Sequence, residues 1–179
     1  VVNGRRREEA QLAHRIQLRF PDEDHDCVAV SYGGGEVLSI PTFAPTVRSV
    51  RTYLAVPGIV ATLAPILTRA VAPMLTRSLQ RFLESRIDAT SEGPGDERRD
   101  QPWWVLARAR AAGGRANQVT VSGSDSYGIT AVICALGAKW LLEGRAKRAG
   151  VLTTAQALDP RNFLDALSPS GVSWRLDPT

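Results

Sequence analysis

Between residues 103 and 142 the hydrophobic periodicity switches from two to the longer helical repeat, and that switch constrains the fold more than any other feature. Val119 and Val121 alternate with Gln118, Thr120 and Ser122, the pattern of a half-buried strand. Trp103 to Arg110 precedes it as a partner strand. Ala111-Ala112-Gly113-Gly114-Arg115-Ala116 joins the two as a hairpin. The neighbouring Trp103 and Trp104 then place one indole on each face of the sheet, one for the core and one for a pocket or an interface. Directly afterwards Ile129, Val132, Ile133, Leu136 and Trp140 recur at helical spacing, with Ser124 or Asp125 as cap. Arg145, Lys147 and Arg148 fall at the expected carboxyl end, where cations suit the helix dipole, and Gly150 is the expected stop.

Upstream, Ile16, Leu18 and Phe20 alternate with Arg15, Gln17 and Arg19 as a second half-buried strand. Pro21-Asp22-Glu23-Asp24 reads as a turn, and Cys27 to Ser31 as another strand. Gly33-Gly34-Gly35 reads as a hairpin turn, with Glu36 to Ile40 extended after it. A dinucleotide cradle needs G-x-G-x-x-G opening a helix, and Pro41 after a strand-like run argues against such a helix. Val47 to Ala55 is rich in β-branched and aromatic residues and is expected as a strand. Near the end, Asp159-Pro160 starts a helix over Arg161 to Leu167, and Val172 to Leu176 is a last strand.

Residues 56–87 are the most hydrophobic stretch, punctuated by Pro57, Pro65 and Pro73. Each proline breaks or kinks a helix, so two or three short helical pieces are expected, as an insertion. The run from Val56 to Leu67 is too short for the ~20 apolar residues of a membrane span. A packing or dimer surface is one reading of it, and a lipid-facing surface is the other. Residues 88–101 are polar and read as a surface loop.

The sum is an α+β chain with a mostly antiparallel or mixed sheet of about six or seven strands. Two or three helices lie on one face, in a single domain over residues 1–179. Val1-Val2-Asn3-Gly4 reads as an interior start, with an upstream segment expected. The net charge is +4; arginine supplies most of the positive charge and clusters at Arg5-Arg6-Arg7, Arg98-Arg99 and Arg145-Lys147-Arg148. No aromatic residues interleave with them, so a nucleic-acid platform is not expected. Cys27 and Cys134 both read as buried small hydrophobes. With two histidines and no CxxC, no metal site is expected, and a reducing, cytoplasmic setting fits.

Two motifs flank the central helix: Asp125-Ser126-Tyr127-Gly128-Ile129-Thr130-Ala131 and Gly150-Val151-Leu152-Thr153-Thr154-Ala155. Gly34-Gly35-Glu36-Val37-Leu38-Ser39-Ile40-Pro41 and Val50-Arg51-Thr52-Tyr53-Leu54 precede them. As a set they resemble the carboxy-terminal half of saccharopine dehydrogenase-like oxidoreductases, enoyl-reductase branch included. That branch has a pattern like Asp-Pro-Gly-Tyr-x-x-Thr-Ala, a helix, then Gly-Val-x-Thr-Pro-Ala. The proline expected after Thr153 is Thr154 here. The resemblance covers about residues 28–56 and 103–176.

It implies hydride transfer with NAD(P), which an amino-terminal Rossmann domain of the parent would hold. No cofactor-binding residue is expected in this chain. The chain itself would be the substrate-side and dimerisation domain, inactive alone, with a small-molecule or lipid-like substrate and a homodimeric parent. Arg51, Asp125, Tyr127 and Trp104 are the expected substrate-facing residues. Arg51 would pair with a carboxylate or phosphate, Asp125 would orient the loop or a polar group, and Tyr127 would donate a hydrogen bond. His14 is a weaker proton-donor candidate. Catalytic residues stay unassigned. The competing readings are a non-catalytic lipid- or protein-interaction module using residues 56–87, peripheral to the membrane, and a stand-alone small-molecule binding domain with a pocket near Trp103, Trp104 and Tyr127.

Overall fold

A computed structural model describes residues 13–20, 26–56 and 100–178. The helical insertion, its prolines, the polar loop before Asp100, the turn at Pro21 and the first arginine cluster lie outside the described residues. The chain divides into two compact units, residues 1–91 and 92–179.

The first unit is a three-stranded antiparallel sheet of β1 (Arg15–Leu18), β2 (Cys27–Tyr32) and β3 (Thr52–Val56), with β2 in the centre. Leu18 pairs with Cys27, and Val28 with Val56. Ala29 and Val30 of the central strand are buried, as is Val50. The strand expected from Val47 begins only at Thr52, because residues 47–51 serve as the connector into it.

Between β2 and β3 lies α1 (Glu36–Phe43), where an extended run was expected. Periodicity misleads here because Glu36-Val37-Leu38-Ser39-Ile40 is too short to separate a strand from one helical turn and a half. Backbone N–H groups of Leu38 and Ser39 donate to the Gly35 carbonyl, which starts the helix. Pro41 sits inside it and lacks the donor for one bond, yet the Ala44 N–H still closes on the Ile40 carbonyl.

The second unit holds β4 (Pro102–Arg110), β5 (Ala116–Ser124) and β6 (Ser173–Pro178), with β5 in the centre. The expected hairpin is present in register, from Pro102 opposite Ser124 to Arg110 opposite Ala116. After β5 come α2 (Ser126–Leu142), α3 (Thr154–Ala157) and α4 (Pro160–Leu167), then a 3₁₀ turn over Ser168–Ser170. The helix α2 stops at Leu142 and not near Gly150. Gly144 takes a left-handed φ of 71°, and its N–H donates to the Leu141 carbonyl. The basic residues from Arg145 onward therefore lie past the helix. As expected, Asp159 caps α4 and Pro160 occupies its first turn.

The described strands thus form two three-stranded sheets rather than one of six or seven, with four α-helices where two or three on one face were expected. Alternation reports which residues are extended; it does not report which strands pair. The two sheets share a strand plan: two antiparallel strands, a helical connection of one helix in the first unit and three in the second, then a third strand added antiparallel to the second.

The core of the second unit lies between the sheet and the helices. Ile129, Trp140, Leu158, Phe163, Leu167 and Val172 are buried, with Trp103, Val121, Ile133 and Leu136 packed against them. Trp140 and Phe163 meet edge to face at 5.2 Å, a geometry contributing ~0.5–1.5 kcal/mol beyond simple burial. The Arg145 guanidinium lies 4.6 Å over the Trp140 ring and bridges to Glu143 at 2.8 Å.

Candidate functional site

The passage from β5 into α2 takes one residue. Asp125 makes it by adopting φ 49° and ψ 70°, the left-handed region that aspartate tolerates better than most residues. Its Oδ1 accepts from the Gly128 backbone N–H at 2.9 Å, capping the helix. A Cβ on residue 128 would collide with the Asp125 carboxylate, so glycine there and aspartate at 125 depend on each other. Thr130 Oγ1 donates back to the Ser126 carbonyl at 2.7 Å. On the strand side, Trp103 Nε1 donates to the Ser124 carbonyl at 3.0 Å, and its ring covers Gly123. Both ends of the junction are therefore fixed.

Of the expected site residues, this junction brings together Asp125 and Tyr127. Asp125 is half-buried by its capping role, whereas Tyr127 is 58% exposed on the first turn of α2. Trp104 alternates with Trp103 and so lies on the sheet face away from the helical core, opposite Ser122 of β5. Arg51 is exposed and belongs to the first unit, just before β3. His14 is half-buried; its backbone N–H donates to Ser31 Oγ at 3.1 Å.

The face that carries Trp104 is polar along the central strand. Arg108 Nη2 donates to Gln118 Oε1 at 2.7 Å, and Ser122 Oγ lies 2.9 Å from Ser173 Oγ. Thr120 sits between them, buried, and its Oγ1 has no hydrogen-bond partner among the described residues. The alternation of Gln118, Thr120 and Ser122 marks this face in the sequence, but not the partner residues on β4 and β6.

The second motif forms α3 and its approach. The Thr153 N–H donates to Gln156 Oε1 at 2.9 Å, which closes the turn where proline was expected at Thr154. Lys147 binds this segment twice: its N–H donates to the Ala157 carbonyl at 2.8 Å, and its ammonium lies 3.6 Å from Asp159. The Asn162 N–H donating to Asp159, followed by the nearby Lys147 charge, holds the Asp159 carboxyl below its ordinary range.

The glycine run between β2 and α1 does not fit a dinucleotide phosphate. The sole passage from a strand through glycines to a helix runs from β2 to α1, and there Glu36 sits against Gly34. The N–H groups of Val37, Leu38 and Ser39 already donate to the carbonyls of Gly34 and Gly35. A carboxylate beside occupied amides repels phosphate. Among the described residues no cluster of three or more His, Cys, Asp or Glu side chains is placed to hold a metal ion, and no helix is long and apolar enough to cross a membrane.

No family description, curated protein or solved structure matches this chain.

Proposed function

We propose that this chain is the substrate-side domain of a saccharopine dehydrogenase-like, NAD(P)-dependent oxidoreductase. The observation that carries the reading is the junction at Asp125. The segment on which the resemblance rests most heavily is also the one held at both ends, by Trp103 and by the Gly128 N–H, with Tyr127 lifted into solvent beside it. A fixed loop that presents a phenol at a helix start suits a substrate-facing role.

In this reading NAD(P) supplies the hydride and is held wholly by a Rossmann domain of the parent. The residues of this chain orient substrate. Tyr127 donates a hydrogen bond from its phenol, and Asp125 keeps the loop in place. The substrate is small or lipid-like.

Calorimetry with NADH and NADPH tests the reading, on the 179-residue chain and on its full-length parent. Tight binding to the parent and none to the chain alone is the expected result. Specific binding to the chain alone, or none to either, overturns it.

A further inference from the structure

The β4–β5 hairpin gathers three arginines at one end of the second sheet. Arg108 and Arg110 of β4 pair with Gln118 and Ala116 of β5, on the sheet face away from Trp103, Val121 and the helical core. Arg115 follows in the turn, where the Ala111 N–H donates to the Arg115 carbonyl at 2.8 Å and the Gly114 N–H to the Ala111 carbonyl at 3.1 Å. All three arginines are exposed. From Gln101 to Ser124 the chain carries no acidic residue. The later carboxylates of this unit are engaged elsewhere. Asp125 and Asp159 cap helices, Glu143 meets Lys139 and Arg145, and Asp165 accepts from Trp174 Nε1. Asp177, opposite Gln118 on β6, is held by Arg175 at 3.0 Å. Arg108 donates to the neutral Gln118 Oε1 from both Nε and Nη2. Among the described residues, none of the three hairpin arginines meets a carboxylate.

We infer that this end of the hairpin is a docking surface for a nucleic-acid duplex, held through its phosphates. The planar fork of arginine suits phosphate oxygens. Side chains two apart on one face of a strand stand about 7 Å from each other, and the turn carries the charge on past Arg110 to Arg115. The cations therefore form a row, which suits a charged polymer better than a single anion. A duplex presents one negative charge per about 1.7 Å of its axis, so such a row meets several phosphates in any register. An acidic protein would need an aromatic or aliphatic anchor at the centre of its interface. Between the arginines the hairpin offers alanine, glycine, Asn117 and a Gln118 already bonded to Arg108. A single strand would need rings on which its bases stack, and residues 108–118 include no aromatic. The small residues of the turn, Ala111, Ala112, Gly113 and Gly114, let the backbone come close to the phosphates. Contacts of this kind hold a duplex without reading its bases. The inference is independent of the oxidoreductase reading, whose calorimetric test involves no nucleic acid.

Fluorescence anisotropy tests it, with the 179-residue chain and a short labelled DNA duplex over a range of KCl concentrations. Circular dichroism checks that each variant folds. The wild type should bind at low salt, and its affinity should fall steeply as salt rises. Arg108→Ser, Arg110→Ser and Arg115→Ser should each reduce the slope of log affinity against log salt by about 1. The triple variant should lose at least about tenfold in affinity at low salt. Arg5→Ser/Arg6→Ser/Arg7→Ser removes the same charge and should lose less than about threefold. No binding at low salt, or equal losses in the two triple variants, would overturn the inference. So would tighter binding of the single strand than of the duplex. Poly-glutamate competing better than unlabelled duplex would overturn it in favour of an acidic protein.

Discussion

The carboxylate of Asp125 fills the space that a side chain on residue 128 would need, and accepts the Gly128 N–H at 2.9 Å. Glycine in a helix normally costs ~1 kcal/mol relative to alanine. At this position that cost is offset by the cap. In an Asp125→Gly background, which keeps the left-handed backbone and removes the carboxylate, Gly128→Ala should stabilise by about 1 kcal/mol. In the wild type the same change should be neutral or destabilising, since it displaces a cap contributing ~1 kcal/mol. Urea denaturation of the four proteins measures the difference. Equal gains in both backgrounds would mean that the cap is not made.

Trp103 and Gly123 form a second dependent pair. A Cβ on residue 123 would lie 2.7 Å from Trp103 Cζ2 and 3.3 Å from the Gly171 carbonyl oxygen. Gly123→Ala should destabilise by about 1–3 kcal/mol through overpacking. Thermal unfolding followed by tryptophan fluorescence reads both the lost stability and any shift of the indole.

The Asp159 carboxyl titrates below the ordinary aspartate value of 3.8 in the folded chain. A depressed folded pKa contributes stability above the unfolded value, and that contribution is lost as pH falls through the folded one. Between pH 7 and 5 the contribution should be constant, and below about 4 it should decline. Asp159→Asn should remove this part of the acid sensitivity, as measured by urea midpoints from pH 7 down to 3. An unchanged slope would show that other carboxylates dominate.

Core and surface truncations should separate sharply. Phe163 is buried and edge-on to Trp140, so Phe163→Ala should cost about 3–5 kcal/mol. Val151 is fully exposed, and Val151→Ser should change stability by less than about 0.5 kcal/mol. Chemical denaturation of both variants checks the pair.

Much of the second unit was legible in the residues. The hairpin, the start of α2 and the Asp159–Pro160 entry to α4 each carry a local signal with one physical meaning. What failed was pairing and length. Glu36 to Ile40 holds too few residues for either period to win, so α1 read as a strand. The end of α2 is set by Gly144, whereas the basic run and Gly150 offered a later stop of the same chemical kind. Cys134 sits in an apolar helix whose second apolar side meets no core among the described residues, a fact that composition cannot carry. The site was half legible. Asp125 and Tyr127 share one junction, but the polar sheet face around Thr120 depends on register with β4 and β6, which is long-range information.

The position of β6 in the second sheet has a consequence for biosynthesis. The strand that flanks β5 opposite β4 is made after all the other described strands, with roughly fifty residues between the two partners. At ~5–20 residues per second, several seconds separate the emergence of β5 from that of β6. For that interval the nascent hairpin shows an unpaired edge and an apolar side that only later segments cover. The first unit has no such wait, since its third strand follows its second within about twenty residues. A ribosome pausing between Leu142 and Ser173 would therefore lengthen the time for which the edge of β5 stays open to other strands.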